Sequence, residues 1–150
     1  MFANEDDFKT VVYEKGEILF KEGESVRTLF LLRSGTVKLI SVKNDRIVPL
    51  YTISERGVIG EDCIFKKDTT CNYSAVVSER ASVVEIPRRD LIAFINSSSD
   101  WMKNIIFDMA DKSEKTAALI VEHRILDDRL NGNSPFSDEE EVLFKTSLAK

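Results

Sequence analysis

A single histidine and two cysteines in 150 residues leave little for metal or redox-cluster chemistry to work with. A metal-dependent enzyme built on a β-roll gathers several histidines, whereas His123 stands alone and outside the β-rich part of the chain. Iron–sulfur clusters take four cysteines, and Cys63 and Cys71 are only two. No metal, no cofactor and no catalytic residue are therefore expected, and the chain reads as a non-enzyme. No stretch approaches 18 uninterrupted apolar residues, so no membrane span is expected. The acidic start, Met1-Phe2-Ala3-Asn4-Glu5-Asp6-Asp7, lacks the basic and apolar regions of a signal peptide, which points to a cytoplasmic location. Long basic runs are missing too. Lys66-Lys67 and Arg88-Arg89 are the longest, against a formal net charge of −5. Nucleic-acid binding needs a clustered cationic surface that displaces counterions, so no direct DNA or RNA partner is expected.

What is present describes an ordinary globular chain, 43% apolar and 31% charged, of a length that suits one domain. The first hundred residues carry short β-like runs at roughly ten-residue spacing. Residues 8–13 and Ile18-Leu19-Phe20 come first, the latter closed by a turn at Gly23. Residues 28–42 alternate through Val37, Leu39 and Ser41 and read as a hairpin, with Gly35 at the turn position that needs positive φ. Ile47 to Ile53 is a further strand, confined by Pro49 to an edge or a bulge. Ala75 to Ser78, a turn at Glu79-Arg80, and Ala81 to Ile86 give two more. No crossover helices separate these runs, so the sheet is antiparallel and closes as a sandwich or barrel.

The pattern changes at Pro87, where a short helix begins with Leu91, Phe94 and Ile95 on its apolar side. Ser99 or Asp100 then caps a segment from Trp101 to Leu130 that contains neither glycine nor proline. Its apolar steps, among them Ile105, Met109, Leu119 and Leu126, form a heptad-like seam with Lys112, Thr116 and His123 in the intervening places. One small β-domain cannot cover so long a helix. A parallel homodimer through this seam is the expectation. Asn131-Gly132-Asn133-Ser134-Pro135 ends the helix, and Ser137-Asp138-Glu139-Glu140 opens a last short one. Three units follow: residues 1–99, 100–130 and a tail at 131–150.

The chemistry concentrates between Arg56 and Val77. Gly60, Glu61, a short apolar piece through Cys63-Ile64-Phe65, a polar loop and Ser74-Ala75 make a cradle into which backbone amides converge. Cys63 and Cys71 can be neighbours across the loop, and the simpler reading makes them small residues packed beneath it.

Three blocks in order carry a family resemblance. They are Lys15-Gly16-Glu17-Ile18-Leu19-Phe20-Lys21-Glu22-Gly23-Glu24, then Leu29-Phe30-Leu31-Leu32-Arg33-Ser34-Gly35-Thr36-Val37-Lys38-Leu39, then Gly57-Val58-Ile59-Gly60-Glu61. Over about residues 8–130 the chain resembles the cyclic nucleotide-binding domain of catabolite activator and FNR-type regulators. The resemblance implies a mainly β fold, a jelly-roll of eight or so strands, followed by a long C-terminal dimerisation helix. It implies a phosphate-binding cassette in which Glu61 accepts from the ribose 2′-hydroxyl. Gly60, Asp62 and Cys63 would approach sugar and phosphate, Ser74 and Ala75 would contact the phosphate, and Thr116 would reach the base from the long helix.

The chain departs from the family at one place. The cassette arginine falls at position 73, which is tyrosine. Tyrosine donates one hydrogen bond and carries no charge. Losing a charge-assisted bond of roughly 1.5–3 kcal/mol predicts weaker binding by about one to two decades, with Lys66 or Lys67 as substitute cations. Two readings stand: a dimeric sensor binding a cyclic nucleotide such as cAMP or cGMP weakly or in altered fashion, or a β-roll dimer that has lost the nucleotide and acts through protein contacts. Only twenty residues follow Leu130, too few for the family's helix-turn-helix. Output then passes to an unknown downstream protein, from a sensor fragment of a larger chain or from a stand-alone domain.

Overall fold

A computed structural model describes residues 7–66, 68–131 and 137–150, leaving out the side chains at 114, 117, 118 and 120–131. In chain order the elements are β1 (Lys9–Tyr13), β2 (Ile18–Phe20), β3 (Thr28–Lys43), β4 (Arg46–Ile53), β5 (Val58–Ile59), α1 (Glu61–Ile64), β6 (Ser74–Pro87), α2 (Arg88–Asn96), α3 (Asp100–Asn131) and α4 (Asp138–Ala149). All strand pairings are antiparallel, in the order β1-β6-β3-β4, with β2 also on β6 and β5 on β3. The architecture is the expected mainly β roll followed by a long helix.

The roll is organised by two long strands rather than by the two hairpins expected at residues 28–42 and 75–86. Gly35 does not reverse the chain: β3 runs through it for 16 residues, and β6 runs through Glu79-Arg80 for 14. Each strand therefore absorbs two of the expected short ones. The bends coincide, because the pairing register of β3 on β6 shifts at Leu32/Ser34, Ser34/Thr36 and Thr36/Val37. These irregularities change which face the side chains take. Phe30 and Leu32 face the main core before the bend, and Val37 and Leu39 after it. Gly35 sits at φ +91, and a Cβ there would stand 2.6 Å from Ala81 Cα. Only glycine lets the two bent strands pass so closely. Pro49 lies on the edge strand β4 next to a bulge, since Leu39 pairs with Tyr51 and Ile40 with Pro49.

Three buried clusters divide the interior. The largest lies inside the roll and includes Phe20, Phe30, Leu39, Leu50, Ile59, Tyr73, Ala75 and Val83. A second joins α1 and α2 to the strands through Leu29, Ile64, Val84, Ile86 and Leu91. The third is made by α4, whose Phe144 is fully buried against Ile40, Ile47 and Val76. The C-terminal segment is thus packed on the roll, not merely appended to it. Ser137 caps α4 by accepting from the Glu140 amide at 3.2 Å, and Glu141 accepts from the Ile47 amide at 3.2 Å. Among the described residues no helix is long and apolar enough to cross a membrane.

Candidate functional site

The cassette begins where β5 ends. Gly60 takes φ +93 and serves as N-cap of α1 without any capping side chain. Its carbonyl accepts from the amides of Cys63 (3.2 Å) and Ile64 (2.9 Å), which closes the helix's one turn. So short a helix cannot stand alone, because nucleation fixes several dihedrals for one bond. Tertiary ties hold it instead. Arg88 Nε donates to the Ile64 carbonyl at 2.7 Å, the Tyr73 hydroxyl donates to Asp62 Oδ1, and Cys63 is disulfide-bonded to Cys71 with their Cα atoms 5.4 Å apart. The reading of the cysteines as small packed residues is overturned. Both are buried, and they are joined.

Glu61 is exposed at the head of α1, while the neighbouring Asp62 is buried at 4% exposure. Partial loss of solvent raises the Glu61 carboxyl above its ordinary value, opposed by its own backbone amide and reinforced by the Asp62 charge. Burial also raises Asp62. The Tyr73 hydroxyl, nearby amides and the Lys66 charge pull it back down.

Tyr73 points into the roll. It is 1% exposed, and its ring lies 5.7 Å from that of Phe20, in the same core as Ala75. Ser74 projects elsewhere, where its hydroxyl accepts from the Glu22 amide at 2.8 Å. Glu22 in turn accepts from the Ser41 hydroxyl and pairs with Lys43 at 3.2 Å. Gly60, Glu61, Asp62, Cys63 and Tyr73 are thus brought together, with Ala75 on the inner wall below them. The Ser74 hydroxyl is committed to the turn after β2. Thr116 is exposed on α3 and donates back to the Lys112 carbonyl at 2.9 Å. Of the two loop lysines, Lys66 is near enough to act on Asp62, and Lys67 lies outside the described residues.

Beside the cassette a cleft of about 550 Å³ opens between the loop and α3, lined by Phe65, Lys66, Asp68, Arg88, Phe107 and Asp111. Phe65 and Phe107 meet edge to face with centroids 6.2 Å apart, which ties the end of α1 to α3. Two cations and two carboxylates balance in this cleft. Also on α3, Ile105, Met109 and Leu119 are exposed, Met109 by 64% and Leu119 by 66%, and Leu126 lies outside the described side chains. Among the described residues no three histidine, cysteine, aspartate or glutamate side chains gather as metal ligands. Sequence reasoning missed the Tyr73–Asp62 bond, since a tyrosine in place of an arginine says nothing about which way its ring turns.

Comparison with known proteins bears on this geometry. The sequence profile of the cyclic nucleotide-binding domain matches residues 10–98. No curated protein matches significantly. Among solved structures, the cAMP-bound form of the EAL enzyme Bd1971 superposes with a TM-score of 0.66 at 15% identity, covering 82% of this chain and 33% of that one. The c-di-GMP-responsive global regulator CLP of Xanthomonas campestris gives 0.60 at 18% identity, over 81% of this chain and 59% of its own. The catabolite activator protein of Thermus thermophilus gives 0.56 at 21% identity, over 85% and 55%. This chain thus spans a third of the enzyme and little more than half of either regulator, and at such identities the likeness is one of fold. The profile, however, covers more than half of the chain and spans the Gly60–Glu61 turn and the start of β6, so the chain belongs to the cyclic nucleotide-binding domain family.

Proposed function

We propose that this chain is a regulatory sensor module that takes a cyclic nucleotide at the Gly60–Ala75 cassette, weakly, and relays occupancy through α3. One observation carries the reading: Glu61 stands exposed directly after the positive-φ Gly60, at the head of a one-turn helix that has no side-chain cap. That is the arrangement a ribose hydroxyl and a cyclic phosphate require, an acceptor beside a close backbone approach. Weakness follows from Tyr73, whose polar end is spent on Asp62 and offers no cation. The Phe65–Phe107 contact supports the relay, since a shift of α1 would press directly on α3. The exposed Ile105, Met109 and Leu119 support a homodimer through that helix, and the net charge of −5 supports a role without direct DNA binding. The role is regulatory, not catalytic.

A second reading, a roll that has lost its nucleotide and serves protein contacts, draws support from the same core. Tyr73 packs among Phe20 and Phe30 inside the roll, and the Ser74 hydroxyl is already engaged. Calorimetric titration with cAMP and cGMP separates the two. The sensor reading expects weak binding by the wild type and none by Glu61→Ala. No heat from the wild type with either nucleotide would favour the second reading.

A further inference from the structure

The cassette is closed by a disulfide although the fold already has an extensive core. Small domains use disulfides to make up for an inadequate core, but this roll already has three buried clusters. The lone bond joins two points of unequal firmness. Cys71 sits on the scaffold: its carbonyl accepts from the Gly23 amide at 2.8 Å, the nearby Thr69 carbonyl accepts from the Val26 amide at 2.9 Å, and Ser25 and Thr69 bond through their hydroxyls. Cys63 sits on the uncapped four-residue α1, between the Asp62 that Tyr73 holds and the Ile64 that Arg88 holds. The bond therefore fastens the least self-sufficient element of the cassette to a fixed rim.

We propose that Cys63 and Cys71 form a reversible thiol–disulfide site that sets the rigidity of the cassette and, through it, ligand affinity. The exchange partner is a low-molecular-weight thiol and its disulfide, of the glutathione class. Both sulfurs are buried, so reduction starts from a local opening of α1. One thiolate of the partner then attacks a sulfur of the Cys63–Cys71 bond and forms a mixed disulfide, and the other cysteine leaves as a thiolate and takes a proton. A second partner thiol then attacks the mixed disulfide, which frees the remaining cysteine as a thiol. Two electrons pass to the protein and one partner disulfide is formed. Once reduced, the sulfurs separate to van der Waals distance and α1 loses its one covalent tie, keeping the Tyr73–Asp62 bond, the Arg88–Ile64 bond, the packing of Ile64 and the Phe65–Phe107 contact. Residues 61–66 gain freedom, and ordering Glu61 around a ligand costs more entropy.

Only the affinity part of this inference rests on the sensor reading, so its test has two independent readouts. The full chain is equilibrated in buffers of graded reduced-to-oxidised glutathione ratio, quenched by alkylation and read by mass spectrometry. Hydrogen exchange is then followed for amides 61–74 in both forms. The expected result is a reversible transition within the series and slower exchange of residues 61–66 in the oxidised form. A pair that stays wholly oxidised or wholly reduced throughout the series overturns the proposal, as does identical exchange in the two forms. Titration with cAMP adds the second readout, with an expected affinity at least about threefold higher for the oxidised form. A double Cys63→Ser/Cys71→Ser variant should match the reduced form. Equal affinities refute the coupling to ligand. Silence of both forms towards nucleotide, with exchange still redox-dependent, refutes the sensor reading and leaves the redox site standing.

Discussion

The hydroxyl of Tyr73 donates to Oδ1 of Asp62 inside the roll, so the residue standing where the family carries an arginine spends its one donor on the cassette's own carboxylate. The two side chains are 1% and 4% exposed, which places the bond where an unmet polar group is costly. It also links α1 to the start of β6 beside the disulfide, so the two closures of the cassette are neighbours. Cys63 Sγ lies 3.7 Å from the Tyr73 hydroxyl.

Tyr73→Phe keeps the ring in the core and removes only the donor. The Asp62 carboxyl is then left without its side-chain partner, and the expected cost is about 1–3 kcal/mol. Urea unfolding of the two proteins measures it. Unchanged stability would mean that Asp62 finds another donor.

Acidity should act on the same pair. Burial, the largest cause in each case, raises both Asp62 and Glu61 above their ordinary values of 3.8 and 4.5. In the window between ordinary and raised values the folded chain holds protons that the unfolded chain has released. The corresponding stability is full below the ordinary values and is lost as pH rises through the raised ones. Asp62→Asn removes its share of this dependence and still accepts from Tyr73. Its stability should therefore fall less steeply than that of the wild type as pH rises above the ordinary carboxylate range. Parallel slopes in urea midpoints would refute a raised Asp62.

Element order and the position of the Gly60–Glu61 turn were legible in the sequence, because glycine punctuation and strand periodicity are local signals. Strand continuity was not. Gly35 and Glu79-Arg80 have turn-like composition, yet each sits where a long strand bends against the other, and only pairing across the sheet distinguishes a bend from a reversal. Side-chain direction was lost for a similar reason. Tyr73 and Ala75 share a face and Ser74 has the other, but which face turns inward depends on the register of β6 against β2 and β3. The docking of α4 escaped because its short apolar piece Val142-Leu143-Phe144 follows an acidic first turn, and the partners of Phe144, Ile40, Ile47 and Val76, lie far off in sequence.

The coincidence of the two bends predicts an asymmetry between glycines of similar φ. Gly23 at +87 has open space around its missing Cβ, whereas Gly35 at +91 faces the backbone of Arg80 and Ala81. Gly23→Ala should cost only the left-handed strain, about 1–2 kcal/mol. Gly35→Ala adds displacement of β6 and should cost at least about 3 kcal/mol. Thermal melts of both variants compare them directly. Equal losses would mean that the strands separate freely at the bend.

The exposed apolar residues of α3 predict self-association. A double Met109→Asp/Leu119→Asp variant would place charge in the proposed seam while leaving the roll untouched, since both side chains are largely in solvent within one copy. Sedimentation should show a dimer for the wild type and a monomer for the variant, with unchanged thermal stability of the roll. A wild type that remains monomeric at high concentration would remove the dimer.

Restoring the family's cation is less simple than a single exchange, and the reason is Asp62. An arginine at position 73 would enter the core where Tyr73 meets that carboxylate, and the two charges would pair before any phosphate arrived. Tyr73→Arg alone should therefore gain less than the roughly tenfold that a freely available guanidinium offers in nucleotide affinity. Combining it with Asp62→Asn removes the competing charge while keeping an acceptor, and the double variant should bind cAMP more tightly than either single variant. The non-additivity is the informative quantity, because it measures the coupling of the two positions. Calorimetric titration of wild type, both single variants and the double variant completes the cycle. A double variant no better than Tyr73→Arg would show that Asp62 does not hold the arginine back. Loss of all binding in Tyr73→Arg would show instead that the tyrosine ring supports the wall against which the ligand rests.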